Sequence, residues 1–198
     1  MPSWPMARSD FTIPRLSLPA ALLISLALVL VTAWVLYWMG RVPMCPCPFK
    51  FWVGKGQPQQ SQHLLDWYTY THVLHGVVFY FLLTVILRGR LSVAARLVIA
   101  TAIEGAWEIF ENTPLIINRY RTATISHDYY GDTIINSVAD IIAMIVGFLI
   151  AARLPAWVTV FLFIAAEVLL FVLLRDNLLL NVVMLVYPME WIRQLQMR

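Results

Sequence analysis

Charge is what this sequence has least of. Only 13% of its 198 residues are Asp, Glu, Lys or Arg, while 61% are hydrophobic; a soluble domain carries roughly 25% and 45–50%. That deficit excludes a water-soluble globule and a disordered chain, because too few charges remain to cover a surface of this size. Cysteine is nearly missing, with Cys45 and Cys47 alone, so a disulfide-stapled secreted module is excluded as well. The eight glycines form neither a phosphate-cradling loop nor a dinucleotide fingerprint, and a nucleophile elbow and a c-type haem motif are also lacking. No internal repeat or low-complexity tract is present. The formal net charge is +3 and the pI near 9.0. Its basic residues come singly or in twos and threes, without a stripe, so they read as membrane flanks and not as a nucleic-acid surface.

What fills the chain is long apolar runs, at a mean hydropathy of +0.74. The expectation is an all-α, polytopic transmembrane helix bundle forming a single domain over 1–198, placed in the cell inner membrane as a multi-pass protein with membrane lipids as its partner. Five spans are expected, at about 18–39, 68–87, 92–111, 132–152 and 156–174, each close to the roughly 20 residues a helix needs to cross. The run from Leu18 to Met39 is too long for the apolar region of a signal peptide and precedes no small-residue cleavage site, so it reads as a retained anchor. Residues 1–15 read as an irregular cytoplasmic leader. Residues 40–66 and 112–131 read as polar connections, the second opened by Pro114, which cannot extend a helix. Leu178 to Tyr187 is apolar but too short to cross, and reads as an interfacial or re-entrant segment with Trp191 and Arg193 as anchors. Basic residues divide almost evenly between the two sides. The leader carries Arg8 and Arg15 against one acid, which favours an inside N-terminus.

Position says more than composition. Alternating spans bring the start of the second helix, the end of the third, the start of the fourth and the end of the fifth to one membrane face. At a rise of about 1.5 Å per residue, His72 and His75 fall roughly 6 and 10 Å below that face. Glu108 and Glu104 fall roughly 5 and 10 Å below it, Asn136 and Asp140 roughly 6 and 12 Å, and Glu167 roughly 10 Å. Glu111 and Asp132 stand at the surface. The opposite half holds almost nothing ionisable beyond Arg96. Glu104, Glu108 and Glu111 share one helical arc, as do His72 and His75, and Asp132, Asn136 and Asp140 repeat every four residues. Because a carboxylate facing lipid costs a few kcal/mol or more, the three stripes should converge inside the bundle.

Imidazole and carboxylate groups suit a divalent metal such as Zn, Mn or Fe. The candidate ligands are His72, His75, Glu108 and Asp140. Glu104, Glu108, Asp132, Asn136 and Asp140 are candidates for catalytic and orienting roles, and a bound metal would activate water or polarise a phosphoryl or carbonyl group. Arg119, Arg121 and His127, in the second connection, are candidates for contacting a substrate headgroup. This pattern points to an enzyme acting on a lipid or lipid-linked substrate, with a site open to the outer face. A transporter or ion-coupled carrier would use the same acids as a relay, although five spans without a repeat differ from common carriers. In a non-catalytic assembly or scaffold protein the stripes would act as helix glue. Glu167, with no polar partner on its own helix, reads as structural. Cys45 and Cys47, one residue apart, read as poor disulfide partners packed in a loop, with a soft copper or redox site as the alternative.

Several of these stretches also look familiar: Cys45-Pro46-Cys47-Pro48-Phe49, the Thr-His-Val-Leu-His-Gly of 71–76, the Glu-Gly-Ala-Trp-Glu-Ile-Phe-Glu-Asn-Thr-Pro of 104–114, and the Ser-His-Asp-Tyr-Tyr-Gly-Asp-Thr of 126–133 with Asn136 and Asp140 behind it. Together they resemble an uncharacterised family of small alphaproteobacterial inner-membrane proteins, a domain of unknown function. The resemblance covers nearly the whole chain and implies a multi-pass membrane protein with no stated activity. More distantly, a Trp-Glu helix paired with a Gly-Asp and Asp helix is similar to the VanZ-like membrane proteins.

Overall fold

The computed structural model describes residues 16–54, 57, 59–87 and 90–197. The expected leader, with Arg8 and Arg15, lies outside the described residues, as do Lys55, Arg88 and Arg198 among the flanking charges. Helices α1 (Leu18–Trp38), α2 (Thr69–Leu87), α3 (Val93–Glu111), α4 (Pro114–Ala123), α5 (Ile134–Arg153), α6 (Ala156–Leu174), α7 (Leu178–Val186) and α8 (Glu190–Gln196) follow in that order. Their starts are written in the sequence. Ser17 and Ser92 accept the Ala20 and Ala95 N–H groups, Thr133 accepts Asn136, and Asn177 accepts Leu180. Each satisfies a backbone donor that a helix otherwise leaves open.

The long helices fall where the five spans were expected. Four of them, α1, α2, α5 and α6, are long and apolar enough to cross a membrane. Helix α3 is the exception because it carries Arg96, Glu104, Glu108 and Glu111. The second connection corrects the sequence reading. Pro114 opens a new helix instead of a polar loop: Thr113 is extended, and Pro114 takes the first helical position, where its missing N–H costs nothing. The C-terminal stretch likewise holds two helices, with Pro188 falling in the break between α7 and α8.

Helices α2, α3 and α5 form the heart of the bundle. Apolar burial drives little association within a bilayer, so close packing must supply it. A Cβ on Gly76 would collide with the Met144 carbonyl, and one on Gly147 with the Val73 carbonyl. The two backbones therefore touch, and α2 and α5 run parallel with His72 near Asp140, Gly76 near Met144 and Tyr80 against Phe148. Below this crossing, Leu83, Leu97, Ala100, Met144 and Phe148 fill the core. Helix α1 packs on α3 through Ser25 and Thr101, whose hydroxyls lie 3.1 Å apart, and through Thr32 over Gly105. Buried Arg96 lies over the Tyr80 ring and donates to the Thr84 hydroxyl, while its Nε has no hydrogen-bond partner among the described residues.

The segment between α1 and α2 is tied over the start of α5. Val42 and Pro43 carbonyls accept the Ile134 and Ile135 N–H groups, and the Ser61 carbonyl accepts Thr133. Arg41 Nε donates to the Asp132 carbonyl at 2.9 Å. Gly131, beside it, takes a φ of +84°, and a side chain there would also strike the Arg41 guanidinium. Cys45 and Cys47 are joined by a disulfide in this segment, contrary to the expectation of free thiols packed in a loop; the turn at Pro46 brings their Cα atoms to 5.2 Å, within disulfide reach.

Candidate functional site

Three helices deliver the central residues, and the spacing of each explains its contribution. On α2, His72 and His75 are one turn apart with ring centroids 5.0 Å from each other. On α3, Glu104 and Glu108 occupy successive turns of the face turned to α2 and α5, and both are buried, at 0% and 1% exposure. On α5, Asn136 and Asp140 do the same at 1% and 4%. The glycine crossing of α2 on α5 sets these helices at the separation the cluster needs.

His72 is the hub. Its Nδ1 lies 2.6 Å from Glu104 Oε1 and 3.5 Å from Glu108 Oε1, while its Nε2 lies 3.8 Å from Asp140 Oδ2. His75 Nδ1 approaches both Glu104 oxygens, at 3.0 and 3.2 Å. Two groups of ligand atoms result, each within a 4.8 Å span: His72, His75 and Glu104, and His72, Glu108 and Glu111. Both Glu108 carboxylate oxygens, Asp140 Oδ1 and Asn136 Nδ2 are buried with no hydrogen-bond partner among the described residues. Buried charge without a counter-charge is expensive, and buried polar atoms without partners cost about 1–3 kcal/mol each.

Asp132, expected at the surface, is 5% exposed. Asn112 on the end of α3 grips it from both sides: Asn112 Nδ2 donates to Asp132 Oδ2 at 3.0 Å, and Asp132 N–H donates to Asn112 Oδ1 at 2.7 Å. Tyr129 adds a hydroxyl donor to the same carboxylate at 2.9 Å. Asn112 and Tyr129 escaped the sequence reading; the signal available was an amide one turn beyond Glu108. Asp66, just before α2, also goes deeper than its loop position suggested. Its carboxylate accepts the Ser61 and Tyr68 N–H groups at 2.6 and 2.7 Å, and burial raises its pKa against those bonds.

The other candidates lie elsewhere. Arg119 donates to the Leu185 and Val186 carbonyls at 2.8 and 3.2 Å, closing the end of α7. Arg121 donates to the His127 carbonyl and stacks on Tyr130, 4.9 Å from the ring centre. His127 is exposed at the mouth of a cavity. Glu167 has a structural use, accepting the Leu178 and Leu179 N–H groups at 3.0 Å each and so holding the start of α7.

The cavity has a volume of about 1240 Å³ and reaches His72, His75, Glu104 and Asp140. Its lining is mostly apolar, with Phe79, Trp107, Phe163 and Val182 on helices α2, α3, α6 and α7, and also takes in Glu111, Asp132 and Asn181.

The profile of a family described as protein of unknown function (DUF2585) matches residues 36–198. A UPF0314 protein of Paracoccus denitrificans is 52% identical over 170 residues, covering 85% of this chain and 87% of that protein. Another from Brucella anthropi is 49% identical over 175 residues, covering 88% and 89%. A third, from Rhizobium meliloti, is 50% identical over 177 residues, again 88% and 89%. No solved structure matches the chain.

Proposed function

We propose, for a chain that belongs to the family described as protein of unknown function (DUF2585), that the buried cluster is a divalent-metal centre serving a multi-pass inner-membrane enzyme, and that its substrate is a lipid or lipid-linked molecule. One observation carries the reading. Glu108 offers two buried carboxylate oxygens without a donor, beside a pair of imidazoles and the unpartnered Oδ1 of Asp140. A divalent cation held by the imidazoles and Glu104 supplies the missing positive charge beside these carboxylates, and mixed nitrogen and oxygen donors suit Zn, Mn or Fe.

The ligands are His72, His75 and Glu104, whose donor atoms already converge. Asp140 stands behind the other nitrogen of His72, at 3.8 Å, where it orients the ring as carboxylates commonly do behind metal-bound histidines. Glu108 is the base of the site. A metal there would polarise a phosphoryl or carbonyl oxygen and lower the pKa of bound water. The cavity's apolar wall supports the substrate class, since acyl or isoprenyl chains fit such a surface while their polar end reaches the cluster. His127 and Asp128 at the mouth provide polar contacts for a headgroup. The site opens to the outer face in this reading.

Metal analysis of the detergent-purified full chain tests the proposal. Wild type should carry about one equivalent of a transition metal, which His72→Ala and Glu104→Gln lose. Asp140→Asn should weaken retention by about 10- to 100-fold. Glu108→Gln should keep the metal and fail to complement a deletion strain. A metal-free wild type with a complementing Glu108→Gln would overturn it.

A further inference from the structure

The buried centre leaves one reactive cluster unused. The Cys45–Cys47 disulfide is half-buried at both residues and rests on His63, which is 1% exposed. His63 Nδ1 accepts the Lys50 backbone N–H at 3.3 Å. An accepting Nδ1 puts the ring proton on Nε2, and Nε2 faces Cys47 Sγ at 3.6 Å and Gln59 Oε1 at 3.2 Å. Burial and then the Lys50 charge lower the His63 pKa, favouring the neutral ring this arrangement needs. Among the described residues no comparable donor faces Cys45, so the two sulfurs are chemically unequal.

These three residues also lie close enough to share a metal ion. Ligation would require the disulfide to be reduced to thiolates and the ring proton to move to Nδ1, at the expense of the Lys50 hydrogen bond. The same proton, left in place, is a ready donor to a thiolate.

We propose that Cys45-Pro46-Cys47 is a thiol–disulfide exchange site, with Cys47 as the departing thiolate held by His63 and a dithiol as the reaction partner. A thiolate of the dithiol attacks Cys45 Sγ. The Cys45–Cys47 bond breaks, and its electron pair stays on Cys47 Sγ, which accepts the His63 Nε2–H bond. The second thiol of the dithiol, deprotonated, attacks its own partner sulfur in the mixed disulfide and releases Cys45 as a thiolate, which takes up a proton. Two electrons pass from the dithiol to the Cys45–Cys47 pair, and the dithiol leaves as a disulfide. The reverse sequence oxidises a partner dithiol. Leaving-group stabilisation accelerates such exchange, so the hydrogen bond from His63 directs attack to Cys45.

The experiment uses the full chain in detergent. Brief exposure to glutathione, an acid quench and peptide mass spectrometry locate the first mixed disulfide, expected on Cys45. Reduction by dithiothreitol should slow about ten-fold in His63→Phe, which removes the donor, and recover largely in His63→Gln, which restores an N–H. Glutathione on Cys47, or equal labelling of both sulfurs, would overturn the proposal, as would an unchanged rate in a folded His63→Phe. The glutathione position is read on wild type, so it decides the matter even if the variants fail to fold.

Discussion

Asp132 and Asn112 show what holds the outer edge of the cluster. The two exchange a pair of hydrogen bonds, side chain to side chain at 3.0 Å and backbone to side chain at 2.7 Å, 20 positions apart in the chain. Removing the amide leaves the buried carboxylate with the hydroxyls of Tyr129 and Ser61 as its side-chain donors. Asn112→Ala should therefore lower stability by about 1–3 kcal/mol, measured as a drop in the thermal midpoint of the purified protein. A midpoint equal to wild type would show that the pair contributes nothing. At this scale the sequence was partly readable. Glu104, Glu108, His72 and His75 announce themselves because ionisable residues are rare in apolar runs and recur at helical spacing. Asn112, Tyr129 and Asp66 do not, since their partners come from other segments and leave no periodic trace. Arg119 leaves no periodic trace either, because its partners are carbonyls 66 and 67 positions away.

At the scale of elements, the starts of α1, α3 and α5 and the α2–α5 crossing follow from local chemistry. Capping residues and apolar length give the helices, and Gly76 with Gly147 gives the contact. Proline was the ambiguous sign. After a helix it can mean termination or a fresh start, and Pro114 does both, ending α3 and opening α4. The C-terminal helices depend on a charged residue that the pattern hid. Asp176, between α6 and α7, accepts from Gln196 Nε2 of α8 at 2.9 Å and from the Tyr68 hydroxyl at 3.2 Å. Burial raises its pKa from 3.8 to about 6 against these bonds. An acid with a raised folded-state pKa contributes stability that is complete below about pH 4 and disappears as pH rises through about 6, a loss of roughly 3 kcal/mol. The thermal midpoint of wild type should therefore fall across this window relative to Asp176→Asn, whose amide does not titrate. Parallel curves for the two proteins would contradict the assignment.

For the whole molecule, the low charge content gives helices long and apolar enough to cross a membrane, and the clustering of the remaining acids is what supports the proposed site. The cavity was not legible, because it arises from a gap between α6–α7 and the central helices, and a gap depends on packing and not on any residue pattern. Its volume of about 1240 Å³ exceeds the roughly 300–1,000 Å³ of common small-molecule pockets. His72, His75, Glu104 and Asp140 line it from α2, α3 and α5, while Val168 and Val182 line it from α6 and α7. A site for an amphipathic molecule should be divisible between these walls. Val168→Trp and Val182→Trp narrow the cavity from α6 and α7, which carry none of His72, His75 and Glu104. Native mass spectrometry of the double variant should show a several-fold loss of co-purifying lipid with metal content unchanged, because chain binding and metal binding use different walls. Loss of metal together with lipid would mean that the two walls form one structural unit. Undiminished lipid would remove the cavity from the account and leave the metal centre to be explained by its ligands alone.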